Sequence, residues 1–233
     1  MILSVHQPAY LPWMGYFEKI YRSDIFVFLD TVQFEKNSFI NRNKIKTQQG
    51  GQWLTIPVKI KGHTMATLIE TEVDDTQPWR KKHLRSIEMN YRKAPYFAEC
   101  YPKIERLLTI PTSGIAELCM QHLEFWVEEF GIDTKIVRSS ELDISSKKSD
   151  LVLDLCKHFS GEQYLSGSLG KGYLDENEFA KAGITIEYQE FKHPVYPQRW
   201  GNFEPFMGIV DYWMNCGAGS LPFVKEQSNG IQS

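Results

Sequence analysis

Short apolar runs alternate with amphipathic segments along most of the chain. Residues 2–5 (ILSV) and 25–29 (IFVFL) have the length and character of buried strands. Between them Met14, Phe17, Ile20 and Tyr21 recur at helical spacing over residues 14–22. Strand, helix, strand is the opening of a βαβ unit. The alternation returns later: a helix at 112–130 with Gly131 at its end, a strand at 134–138, a helix at 150–159 capped by Ser149, a strand at 162–165, a short helix at 175–182 and a strand at 184–191. In the middle, 53–58 (WLTIPV) and 68–73 read as strands. Amphipathic patterns at 79–92 and 94–108 read as helices, with Pro102 placed to kink or break the second. A last helix is predicted over 203–215. The pattern predicts an α/β fold: a mainly parallel, Rossmann-like sheet with helices on both faces and a helical excursion at about 74–130. Residues 1–220 are expected to form a single domain, with 221–233 a polar C-terminal tail.

Composition narrows the classes of partner. The chain has 233 residues, 42% hydrophobic and 24% charged, with a net charge of −3, so no overall basic footprint for nucleic acid is present and DNA is not an expected partner. No apolar run approaches the roughly 18 residues that span a bilayer, so no membrane span and a cytoplasmic location are expected. The four cysteines are widely spaced without a CxxC pair, and Cys119 and Cys156 fall inside apolar helical patterns, as buried free thiols do.

Candidate chemistry gathers at strand ends, where open α/β sheets bind ligands. The first strand runs into His6-Gln7-Pro8 and on to Tyr10, and the strand at 184–191 runs into His193-Pro194, then Tyr196 and Gln198. Two histidines of ordinary pKa supply an acid and a base near neutrality. Asp30 closes the second strand, either facing a ligand or capping a turn. The stretch 33–46 interleaves Asn41, Arg42, Asn43 and Lys44 with Phe34 and Phe39, a donor set suited to a phosphate or carboxylate. Ser166–Lys171 places Gly167 and Lys171 in a glycine-rich turn after a strand, a phosphate-cradle pattern without the P-loop spacing. His63 reads as a surface residue of a turn. Metal-ligand spacings such as HxxxH and HExxH are missing, and no cofactor is expected. If the fold works as imagined, His6, Arg42 and His193 converge on one crevice. The helix at 79–92 carries a basic face of Arg80, Lys81, Lys82 and Arg85, which is either solvated or meets an acidic partner.

Several blocks, HQPAYLPWMGYFEKI, FVFLDTVQFEKNSFINRNKIK, WLTIPV, YLSGSLGKGYLDENEF and YQEFKHPVYPQ, together resemble the WbqC-like protein family over nearly the whole chain. The resemblance implies a bacterial surface-polysaccharide (O-antigen) enzyme acting on a nucleotide-activated amino sugar, with acyl or aminoacyl (glycine-like) transfer from an acyl-carrier or aminoacyl donor. In NSFINRN, Phe39 stands where the resemblance leads one to expect Trp. Two other readings stay open. The opening loosely resembles the HxGH nucleotidyltransferases, except that Tyr16 follows Gly15 where the second histidine belongs. A non-catalytic sugar-nucleotide or carrier-binding protein is the other.

Overall fold

The computed structural model describes residues 1–59 and 66–222; His63 and all but the first two residues of the polar tail lie outside the described residues. It is a mixed α/β protein with a five-stranded parallel sheet flanked by helices, a Rossmann-like arrangement. The chain divides into two compact units, each assembled from three segments: Met1–Gln7, Gly15–Val32 and Ile132–Lys192 in the first, Pro8–Met14, Gln33–Gly131 and His193–Ser233 in the second.

The first unit holds the sheet. Its strands are β1 (Ile2–His6), β2 (Ile25–Phe28), β5 (Lys135–Arg138), β6 (Gln163–Ser166) and β7 (Thr185–Tyr188), ordered β5-β2-β1-β6-β7 and all parallel. Register sorts the side chains by face. Leu3 lies opposite Ile25 and Val5 opposite Val27. This set packs with Leu151, Leu155 and Cys156 of α5 (Lys148–His158) and Phe179 of α6 (Glu176–Lys181). The alternate set, Ser4 and His6 opposite Phe26 and Phe28, faces α1 (Met14–Tyr21), whose Tyr16 ring meets Phe26 at 5.5 Å. Asp175 caps α6 by accepting from the Asn177 and Glu178 amides. Helix α5 starts one residue before Ser149, whose hydroxyl instead accepts from the Asp175 amide at 2.8 Å.

The second unit contains an antiparallel hairpin, β3 (Arg42–Thr47) and β4 (Gly50–Thr55), with helices α2 (Trp79–Tyr91), α3 (Phe97–Thr109), α4 (Ile115–Glu129) and α7 (Ile209–Cys216). Trp126 of α4 and Trp213 of α7, both fully buried, meet edge to face at 5.0 Å. The helical excursion is therefore real, and it belongs to this unit with the hairpin. The donor-rich stretch 33–46 becomes strand from Arg42 onward. Residues 68–73 form no strand: a turn bonded locally by Thr71 Oγ1 to the Thr67 carbonyl replaces it, with isolated bridges at Val73 and Glu72. Helix α3 runs unbroken through Pro102. Helix α7 begins only at Ile209, because Pro205 and a left-handed Phe206 (φ 61°) precede it. No helix among the described residues is long and apolar enough to cross a membrane.

Candidate functional site

In the first unit the chain proceeds outward from β1 to β2 and β5, then returns to the other side of β1 with β6 and β7. The strand order reverses between β1 and β6, and in such sheets ligands enter the crevice beyond the carboxyl ends of those two strands. The residues there are His6, which ends β1, with Gln7 after it, and Ser166, which ends β6, with Gly167 after it.

His6 Nδ1 donates to the Gln7 carbonyl at 2.9 Å, which fixes that tautomer and makes Nε2 an acceptor. The Tyr16 ring packs edge-on against it at 4.8 Å, and the Tyr16 hydroxyl donates to the same Gln7 carbonyl at 3.3 Å. Burial, and secondarily the Lys19 charge, pull the His6 pKa down to about 3, so the ring is neutral across the physiological range. Lys19 itself lies inside α1 with 2% exposure, donating to the Val5 carbonyl at 2.9 Å. Desolvation lowers its pKa to about 7. This buried amine beneath the strand end escaped the sequence reading; its one signal is a lysine set among buried neighbours on a short helix.

After β6 the glycine-rich segment forms a 3-10 turn, Ser168–Gly172. Gly170 packs closely there: a Cβ would stand 1.9 Å from Ser166 Oγ and 3.1 Å from Ser166 Cβ, so the serine would have to turn away. Gly167 has open space around it, and Lys171 is exposed with its ammonium 5.1 Å from the Tyr188 ring. Asp30 is fully buried and fully bonded: Oδ1 accepts from Ser139 Oγ and the Ser140 amide, and Oδ2 from Arg138 Nε and Ser140 Oγ, all at 2.9 Å. It ties the end of β2 to the end of β5, the capping alternative among the two roles expected for it.

In the second unit Tyr10 is buried, with its hydroxyl donating to His83 Nδ1 at 2.8 Å and its ring 5.7 Å from His122. Asn41 and Asn43 are buried amides that tie loops together, Asn41 donating to Ile56 O at 2.9 Å and Asn43 to Leu11 O at 2.7 Å. Arg42 and Lys44, on the other face of the hairpin, flank Trp53: the guanidinium carbon is 4.3 Å and the ammonium 5.1 Å from its ring centre. His193 is half-buried against Tyr196, Phe203 and Phe206, its Nδ1 donating to the Pro194 carbonyl, and desolvation lowers its pKa. Tyr196 and Gln198 converge on Asp211, whose carboxylate accepts from Tyr196 OH (2.7 Å), Gln198 Nε2 (2.8 Å) and Tyr91 OH (2.6 Å). Burial raises the Asp211 pKa against these donors. Lys46 closes the network by donating to the Asn202 carbonyl and to Gln198 Oε1. Of the three residues expected to meet, His6 therefore belongs to one unit and Arg42 and His193 to separate clusters of the other. The four cysteines are free thiols, three of them buried.

Comparison with known proteins adds lineage without chemistry. An uncharacterized protein of Mycobacterium tuberculosis (strain H37Rv) is 32% identical over 225 residues, 96% of this chain and 97% of its own length. No solved structure matches. A model described as the WbqC-like protein family matches residues 7–222, and the chain belongs to that family.

Proposed function

We propose that the protein is a cytoplasmic transferase of surface-polysaccharide (O-antigen) biosynthesis, placing an acyl or aminoacyl group on the amine of a nucleotide-linked amino sugar. The observation that supports this reading is the reversal of strand order between β1 and β6, with His6 and Gln7 at the end of β1 and Gly167 just after β6, the kind of strand ends where Rossmann-like sheets bind their ligands. In the transfer the amine nitrogen bonds to the acyl carbonyl carbon and the bond to the carrier breaks. His6 Nε2 takes the amine proton and returns it to the departing group. Burial sets the depressed pKa of His6; the negative charge of a bound acyl or aminoacyl donor beside the ring would raise it toward the working range. Lys171, on the turn after β6, is assigned to an anionic group of that donor. His193, in the other unit, is the second base that the sequence nominates.

The same low pKa favours one rival, a sugar-nucleotide-binding protein without turnover, in which His6 only accepts a hydrogen bond. Activity against dTDP- and UDP-linked amino sugars with acyl donors separates the two. His6→Ala is expected to lower turnover by about 10²–10⁴. Full turnover in both His6→Ala and His193→Ala, with native circular dichroism, rules out the catalytic role; tight binding without turnover of any donor supports the rival.

A further inference from the structure

On the outer face of the hairpin the second unit presents aromatic rings and cations together. Period-two alternation sends Asn43, Ile45 and Leu54 inward, where all three are buried. Arg42, Lys44 and Trp53 point the other way. Lys44 sits directly opposite Trp53 in the strand register, and Arg42 lies on the diagonal, its guanidinium over the indole. Phe39 stands beside this pair, its ring 5.9 Å from Trp53 and 5.1 Å from Trp13, so three rings form a row. Phe39 and Trp53 remain 46% and 39% exposed. Among the described residues neither Arg42 nor Lys44 has a carboxylate within ion-pair distance, and the Arg42 Nε is buried without a hydrogen-bond partner. Lys46, on the same strand face, differs: it is buried and lies 3.8 Å from Glu204.

Exposed large rings are costly unless something covers them, and unpaired cations beside them define the charge of what does. We infer that this row is a nucleotide-binding platform: the base stacks on Phe39 and the Arg42–Trp53 pair, and the phosphates meet the Arg42 guanidinium and the Lys44 ammonium. Guanidinium planes and aromatic rings both accept a base by stacking, and a fork of N–H donors matches a phosphate. The choice of ligand rests on the nucleotide-linked substrate proposed above; the location rests on the platform alone.

Titration calorimetry with UDP, uridine, inorganic pyrophosphate and free galactosamine tests it on the full chain. The native protein is expected to bind UDP. Phe39→Leu and Trp53→Leu, with unchanged melting, should weaken UDP roughly 5- to 100-fold, the range for one base–ring stack. Lys44→Gln should weaken UDP and pyrophosphate alike and leave uridine unaffected. UDP binding that survives all three variants overturns the platform while leaving the proposed transfer intact. Platform-dependent binding of galactosamine without UDP makes the rings a sugar subsite and also overturns the inference. A native chain that binds no UDP overturns the nucleotide-linked reading itself.

Discussion

His122 is 3% exposed, its Nδ1 has no hydrogen-bond partner, and Arg80 and His83 add positive charge nearby. Desolvation first, and those charges second, bring its pKa down to about 3. The unfolded chain then holds more protons than the folded one between about pH 3 and 6.5, so stability rises with pH across that window and is lost as acid is added. Lys19 repeats the argument higher up: its folded pKa of about 7 lies below the ordinary 10.5, so stability rises again between them. Each shift corresponds to a few kcal/mol at about 1.4 kcal/mol per pH unit. Urea unfolding at a series of pH values should show both slopes. His122→Phe is expected to remove its share of the acid slope while His6 and His83 retain theirs, and Lys19→Met to reduce only the alkaline slope; unchanged slopes would mean that these groups are solvated. None of this was readable beforehand, because a lysine or histidine in a helix is ordinarily wet, and only tertiary packing removes its water. His6 was different: its place at the end of an apolar run was legible, and the fold puts it at the sheet's reversal point.

Among the elements, β1, α1 and β2 follow the expected bounds within about two residues, because buried parallel strands write continuous apolar runs. The hairpin showed itself only in part: a strand is expected over 53–58, and β4 covers Gly50–Thr55. Its first strand reads RNKIKT, charged on one face, and the other face includes an amide, Asn43, whose bond to Leu11 takes the place of apolar packing. The residues proposed as ligand donors therefore divide by strand parity: Asn41 and Asn43 inward, Arg42 and Lys44 outward. Helix α7 docks on this hairpin through Gly208, whose amide donates to the Lys44 carbonyl at 2.8 Å. A Cβ at Gly208 would stand 2.9 Å from the Leu11 carbonyl oxygen and 3.1 Å from that of Lys44, both backbone atoms that cannot swing aside. Gly208→Ala is expected to cost about 1–3 kcal/mol in urea unfolding, the range for overpacking. Gly131→Ala has open space around its Cβ and is strained only by its φ of 62°. It should cost less, and equal losses would show that the close approach at Gly208 is relieved by backbone movement.

Over the whole molecule the net charge is −3, which by itself repels an acidic carrier protein. Any attraction has to come from a local patch, and the basic face expected on α2 supplies one with a changed membership. Arg80 is drawn off: it pairs with Asp75, lies over Trp79 at 4.3 Å and serves to hold the start of α2. Lys81, Arg85 and Arg92 are exposed and line a groove of about 740 Å³ with Tyr101 and Glu105 of α3. If the proposed transfer uses an acidic acyl-carrier donor, these cations are the ones that would attract it, with Glu88 and Glu105 opposing them. Surface charges at this spacing act mainly on encounter, so the contribution should appear in the association rate and fade with salt as the screening length falls from ~10 Å at 0.1 M toward ~3 Å at 1 M. Lys81→Glu/Arg85→Glu is expected to slow association with an acidic acyl-carrier protein about tenfold at low salt, with a difference that disappears near 1 M. Binding of UDP, a ligand without a carrier, should be unchanged in the same variant. Equal carrier association at low salt would leave the face merely solvated, and a loss of UDP binding would mean that the charge reversal had disturbed the fold instead of a docking surface.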